Sequence, residues 1–178
     1  MLISPAYTEQ NTLLHAQRPD YGARGYRYAD TIRDLAEKFE CKDILDYGSG
    51  KGTLRTALED LRVWEYDPAV LRISKPPVPA DLVVCLDVLE HIEPECIEAV
   101  LDDLRRCARK ACFLTISTKA AQKFLPDGRN AHLIQAGMEW WVPKLRARWK
   151  LRLIQGNEDA FVIVGQSRQV ANANGAAA

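Results

Sequence analysis

Three clusters in this chain hold residue types that could do chemistry. The first is Asp46-Tyr47-Gly48-Ser49-Gly50-Lys51-Gly52, with a further acid, Asp67, beyond it. The second is Asp87-Val88-Leu89-Glu90-His91, and the third runs from Asp127 through Arg129 and Asn130 to His132. Alternating glycines let the backbone turn sharply with no side chain in the way, so a ligand can rest against main-chain N–H groups at a helix N-terminus. A nucleotide-sized pocket is the expectation. Spacing then excludes two phosphate-binding patterns, because a dinucleotide fingerprint or a P-loop starting at Gly48 needs glycine where Thr53 stands. His132, with His15 and His91 the only histidines, has a side chain whose ordinary pKa suits a general base near neutrality. Each residue also has a structural reading. Asp87 serves equally as a turn or cap acid, Glu90 and His91 as a pair holding their loop, and His132 as a buttress of the turn before it.

These side chains need elements to position them. Ile44, Leu45 and Tyr47 form a short apolar run suited to a buried parallel strand, and Leu54, Ala57, Leu58 and Leu61 mark one face of a helix after the glycine turn. Before the strand, Tyr28, Ile32, Leu35, Ala36 and Phe39 fall at helical spacing; residues 1–27 show no clean period. A second strand runs from Arg62 to Tyr66. Pro68, Pro76, Pro77 and Pro79 then deny regular structure to most of the next stretch. Asp81 to Leu86 is a continuous apolar strand, and Pro94 is expected to open a long helix lined by Ile97, Val100, Leu101, Leu104 and Ala108, with Arg105, Arg106, Arg109 and Lys110 at its end. Ala111 to Ser117 is the next strand, so the polar loop from Thr118 lies at the carboxyl edge of a parallel sheet, where ligands bind in open α/β folds. A short helix from Met138 to Leu145 precedes a hairpin of 149–155 and 160–166. The fold expected is α/β, with helices on both faces of a mostly parallel sheet.

The whole chain sets bounds. Its 178 residues suffice for one sizeable core, and 24 acidic residues balance 24 basic ones, so no global field recruits nucleic acid or an anionic membrane. No apolar run is long enough to span a bilayer, and five cysteines without a C-x-x-C pair fit reduced thiols in the cytoplasm. Lys144, Arg146, Arg148, Lys150 and Arg152 alternate with apolar residues, which would place five cations on one face of an edge element. A solvated edge strand and a phosphate-binding surface are both open readings of that pattern.

The glycine cluster, D-x-G-x-G-x-G from Asp46 to Gly52, resembles motif I of the class I S-adenosylmethionine-dependent methyltransferases, and the resemblance extends over about residues 28–166. It implies a doubly wound Rossmann-like sheet ending in an antiparallel hairpin. It also implies S-adenosylmethionine as cofactor, held by Asp46, Gly48, Ser49, Gly50 and Gly52, by Asp67 on the ribose hydroxyls, and by Leu86 and Asp87. Thirteen residues separate Asp67 from Asp81, too few for the third strand and helix of the full family, so both are expected to be missing and the adenine to be held by backbone or by residues around Ser74 and Leu86. The D-V-L-E-H segment is similar to that of small-molecule methyltransferases, which makes Asp87, His91 and His132 the candidate catalytic residues. In some quinone-pathway members an acid-x-x-Glu-His arrangement carries a divalent metal; Asp87, Glu90 and His91 match the spacing, but no metal is assigned. The LPDGRNAHLI segment with Trp140 and Trp141 looks like uncharacterised methyltransferase-like proteins of bacteria and their phages, and puts Asp127, Arg129, Asn130 and Trp140 forward as substrate contacts, although both tryptophans also suit packing on the sheet.

The expected activity is methyl transfer to an oxygen or nitrogen of a small, metabolite or sugar-like acceptor. A nucleic-acid methyltransferase using the basic segment 144–152 is the first alternative, although the chain lacks both an N/D-P-P-Y/F/W motif and a Pro-Cys pair. A non-catalytic cofactor-binding or scaffold protein is the second. The expected organisation is a lead-in or lid over 1–27, a cofactor-binding domain over 28–166, and a disordered tail over 167–178.

Overall fold

Buried parallel strands are apolar on both sides, and three of the strands here have that character. The computed structural model describes residues 1–168. In it β1 (Ile44–Tyr47), β3 (Ala80–Leu86) and β4 (Ala108–Ser117) run side by side and parallel, with β2 (Val63–Tyr66) parallel to β1 at one edge. The hairpin β5 (Trp149–Gly156) and β6 (Ala160–Ser167) completes a six-stranded sheet in the order β2-β1-β3-β4-β6-β5, with β6 antiparallel to both neighbours. The expected topology is therefore present. So is the expected loss: between β2 and β3 there is only a 3-10 turn, Leu71–Ile73, and β2 forms the sheet's edge.

Period-2 alternation sorts the strand residues onto two cores. Leu45, Val83, Cys85, Cys112 and Leu114 pack with α4 (Ile97–Cys107) and with Trp141 and Leu145 of α5 (Met138–Arg148). Ile44, Leu82, Val84, Ala111 and Phe113 face the other way, onto Ile32, Leu35 and Ala36 of α2 (Ala29–Lys38) and onto Leu54 and Leu58 at α3 (Thr53–Ala57). Leu54, Leu58, Leu82 and Leu101 are wholly buried, and each such side chain contributes roughly 1.5–3 kcal/mol relative to exposure. This two-sided packing makes the carboxyl ends of β1, β3 and β4 a rigid platform.

Several boundaries differ from expectation. The lead-in contains a regular helix, α1 (Pro5–Gln17), capped by the Ser4 hydroxyl accepting from Tyr7 N at 3.1 Å with proline at its start. Its buried face is Tyr7, Asn11 and Leu14, and the polar middle member conceals the helical period. The helix after the glycine turn ends at Ala57 rather than Leu61, and α4 begins at Ile97, after a turn that contains Pro94. Arg109 and Lys110 belong to β4 instead of the helix end, where Arg109 bridges Asp43 and Asp81 at 2.5 and 2.8 Å. The basic alternation is broken as well. Residues to Arg148 are helical, so Lys144 and Arg148 share one face of α5 and pair with Glu98 and Asp102 of α4 at 2.6–2.9 Å. Only Lys150 and Arg152 lie on a strand. All five cysteines are free thiols, and the tail beyond Arg168 lies outside the described residues.

Candidate active site

A cavity of about 540 Å³ lies over the carboxyl ends of β1 and β3, within the size range of small-molecule sites, roughly 300–1,000 Å³. Its floor at one end is the glycine turn. Gly48 and Gly50 have φ of 82° and 51°, left-handed values that side chains rarely adopt. Space is equally restrictive, because a Cβ at Gly48 would sit 2.5 Å from Val88 and one at Gly50 2.8 Å from the backbone of Gly22. Gly50 N donates to Asp67 Oδ2 at 3.0 Å, while Asp67 Oδ1 accepts from Ala69 N at 2.9 Å. Asp67 is thereby locked to the backbone of the glycine turn. Burial, reinforced by the Glu65 and Asp67 carboxylates, pushes Asp46 up to about 8. Ser49 Oγ is buried with no hydrogen-bond partner.

The other end is built of side chains from two segments distant in sequence. Glu90 is fully buried; its Oε1 accepts from Ser117 N at 2.9 Å, and Oε2 has no partner. Burial, with Asp87 nearby, raises its pKa to about 8. His91 Nδ1 lies 2.7 Å from Ala131 O and His132 Nδ1 2.6 Å from Lys119 O. A carbonyl can only accept, so both Nδ1 atoms carry a proton, and the tautomer this selects has its lone pair on Nε2. The two rings meet edge to face at 4.7 Å, and desolvation together with His132 holds His91 down at about 3. Ligand atoms of Glu90, His91 and His132 fall within 4.8 Å of one another, an arrangement that suits a divalent cation as well as a proton acceptor.

Of the residues singled out from sequence, Asp46, Gly48, Ser49, Gly50, Asp67, Leu86, Asp87, His91 and His132 line this cavity. Asp87 has φ of 54°, and its carboxylate and amide are both tied to the Thr115 hydroxyl, at 2.7 and 2.8 Å. It does not belong to the Glu90–His91–His132 trio; the third member comes instead from the loop after β4. Gly52 is not a lining residue and serves as the N-cap of α3.

Asp127, Arg129, Asn130 and Trp140 are also absent from the lining. Asn130 braces its own loop, accepting from Ala121 N and His132 N and donating to Ala121 O, each at 2.9 Å. Asp127 accepts from Arg129 Nε at 2.7 Å and from Gln10 Nε2 of α1 at 2.8 Å. Trp140 packs on Trp141 and under the Lys144 ammonium, 4.5 Å from the ring centroid. Sequence reasoning gave Tyr7, His15 and Tyr21 only a place in the lead-in or lid and did not single out Asn11; all four line the cavity. Their signal was a run of aromatic and polar residues in a segment with no apparent period.

Comparison with known proteins agrees with this geometry. Residues 17–155 match the profile of a methyltransferase domain family. No curated protein matches the chain. Among solved structures, the DhpI complex with S-adenosylhomocysteine is similar at a TM-score of 0.63 and 18% identity, covering 92% of this chain and 98% of that one. The 1,6-didemethyltoxoflavin-N1-methyltransferase of Burkholderia thailandensis, with 1,6-didemethyltoxoflavin and S-adenosylhomocysteine bound, gives 0.61 at 16% identity, covering 94% and 92%. The magnesium protoporphyrin IX methyltransferase of Synechocystis, with S-adenosylhomocysteine bound, gives 0.59 at 14%, covering 80% and 83%. At these identities the likeness is one of fold. No helix among the described residues is long and apolar enough to cross a membrane.

Proposed function

The chain belongs to the methyltransferase domain family, and on that premise we propose that it transfers the methyl group of S-adenosylmethionine to an oxygen or nitrogen of a small-molecule acceptor. The residues present fit such a cofactor. A sulfonium nucleoside needs backbone at close approach, which the lining turn at Gly48 and Gly50 offers, and a fixed acid for its ribose, which Asp67 offers from its two backbone amide contacts. Buried Ser49 Oγ in the lining still has hydrogen-bonding capacity to give. When bound, the cofactor supplies an electrophilic methyl carbon. The acceptor's lone pair forms the new bond to it as the carbon–sulfur bond breaks, and that electron pair stays on sulfur.

The chain's own residues position the acceptor and take its proton. His132 is assigned the second role, because its Nδ1–H is held by Lys119 O and the lone pair for a proton lies on its Nε2. The single observation that carries the small-molecule reading is the cavity beside Glu90, His91 and His132, to whose lining α1 adds Tyr7 and Asn11 and the segment after it adds Tyr21. Two solved neighbours of this fold, the toxoflavin-pathway and porphyrin enzymes, act on small molecules by their names, which supports the same class. Against the nucleic-acid alternative, Lys144 and Arg148 of the basic segment are paired with acids of α4.

A second reading of the acceptor end is favoured by the unpartnered Glu90 oxygen beside two imidazoles of fixed tautomer. There a divalent cation would replace the base by acidifying a bound hydroxyl. Incubation with methyl-tritiated S-adenosylmethionine and separate metabolite and RNA/DNA fractions tests the proposal. Label is expected in the metabolite fraction; label confined to polynucleotide would overturn it, and abolition by a chelator would select the metal reading.

A further inference from the structure

Helix α1 crosses the pocket and is tied to both of its ends. Ser4 donates from its amide and hydroxyl to Glu93 at 2.8 and 2.6 Å, and the Tyr7 hydroxyl donates to His91 O at 2.5 Å. At the other end the Thr12 hydroxyl reaches Ala69 O at 3.0 Å. His15, in the last turn, lies beside the ribose acid: its Nε2 is 3.8 Å from Asp67 Oδ2, beyond hydrogen-bonding range, and its side chain is only 12% exposed. The ring rests edge-on against Tyr21 at 4.8 Å and lines the cavity. Its Nδ1 is buried and has no hydrogen-bond partner. Orphaned buried polar atoms are rare in folded proteins and commonly mark a place where a ligand or water completes the set.

Desolvation holds this imidazole below the ordinary histidine range against the opposing pull of Asp67, which favours the neutral ring with one donor and one acceptor. Each Asp67 oxygen accepts one backbone amide, which leaves lone pairs for a diol. Nearby, the segment between β2 and β3 is a 3-10 turn followed by proline-rich chain, with no strand to deliver a further side chain to the nucleoside.

We propose that His15 is a cofactor-positioning residue: it hydrogen-bonds the nucleoside of S-adenosylmethionine next to Asp67, so that α1 supplies the side-chain contact left unmade by the absent third strand. This rests on the cofactor reading above. Binding of the nucleoside then also fastens the helix that roofs the acceptor end.

The test is calorimetric titration of the full chain with S-adenosylhomocysteine and, separately, with 5′-methylthioadenosine, which keeps the nucleoside and lacks the amino acid. His15→Phe keeps the ring edge on Tyr21 and removes both nitrogens; His15→Gln restores a donor and an acceptor. His15→Phe is expected to bind both ligands about tenfold more weakly than wild type. His15→Gln is expected to recover most of that loss, with unliganded melting temperatures of both variants near wild type. Equal affinities for wild type and His15→Phe would overturn the inference while leaving the cofactor reading intact. A loss seen with S-adenosylhomocysteine but not with 5′-methylthioadenosine would overturn it too, by placing the contact off the nucleoside. Should His15→Phe be unstable, His15→Gln decides: wild-type affinity supports the hydrogen bond, and a loss as large as that of His15→Ala refutes it. No binding by wild type would bring down the cofactor reading and this inference together.

Discussion

The two ends of the pocket are made in opposite ways. At the glycine end, residues close in sequence present backbone to the ligand: Gly48 and Gly50 in left-handed conformations, and Asp67 fixed by two amides. At the acceptor end, Glu90, His91 and His132 converge from opposite sides of α4 and β4 in the chain, the histidines held by the carbonyls of Ala131 and Lys119 and Glu90 by the amide of Ser117. A backbone-built site fails all at once when a side chain is inserted. A side-chain-built site can be retuned one residue at a time, which is how one fold accommodates different acceptors.

Four experiments sharpen that contrast. The largest effect is expected from Gly50→Arg, whose Cβ would meet the Gly22 backbone at 2.8 Å and force apart two segments that line this end of the cavity; cofactor affinity should fall by more than about a hundredfold in a binding titration. Next, His132→Ala should lower the rate of methyl transfer by roughly 10²–10⁴ under saturating cofactor while leaving cofactor affinity within about twofold. If the loss appeared in cofactor affinity instead, the two ends would not be independent. Third comes a pH effect on stability. Glu90 in the folded chain has a pKa raised to about 8 from its ordinary 4.5, so between those values the folded state holds a proton that the unfolded chain has released, and stability falls as pH rises through that window. Glu90→Gln should therefore flatten the decline of melting temperature between pH 6.5 and 8, above the range in which His91, held down at about 3, adds a slope of opposite sign, with Asp46 leaving a residual slope of the same sign as that of Glu90. An unchanged slope would place Glu90 in a wetter setting than the one described. The smallest effect is expected from Trp140→Ala, which stands outside the lining; its KM for the acceptor should stay within about twofold of wild type, measured once an acceptor is identified.

The same contrast explains what the sequence made legible. The Gly48–Gly52 turn and Asp67 could be read directly, because a backbone-built site must be written as residue types at fixed spacing. The strand positions followed from continuous apolar runs, and the missing third strand from the family resemblance set against the short, proline-rich interval between Asp67 and Asp81. His132 could be named as a candidate but not paired with Glu90, since the two are brought together by the loop after β4 and no local period encodes that. Asp127, Arg129 and Asn130 were put forward as substrate contacts on the polarity of their loop and on its resemblance to methyltransferase-like proteins; in the structure they lie outside the cavity lining, with Asp127 reaching Gln10 of α1 and Asn130 reaching Ala121. Helix α1 was hidden because Asn11 interrupts its buried face, and the five-cation edge dissolved because the alternation spans the end of α5. Alternation alone does not distinguish a strand from a helix followed by a strand.

The claim that everything else depends on is that the turn at Gly48 and Gly50, with Asp67, seats an adenosyl cofactor. Equilibrium titration of wild type, Gly50→Arg and Asp67→Ala with S-adenosylmethionine tests it directly. Saturable one-to-one binding by wild type, lost in Gly50→Arg and strongly weakened in Asp67→Ala, is the result expected. Absence of binding by wild type, or isotherms that superimpose for all three proteins, would contradict it.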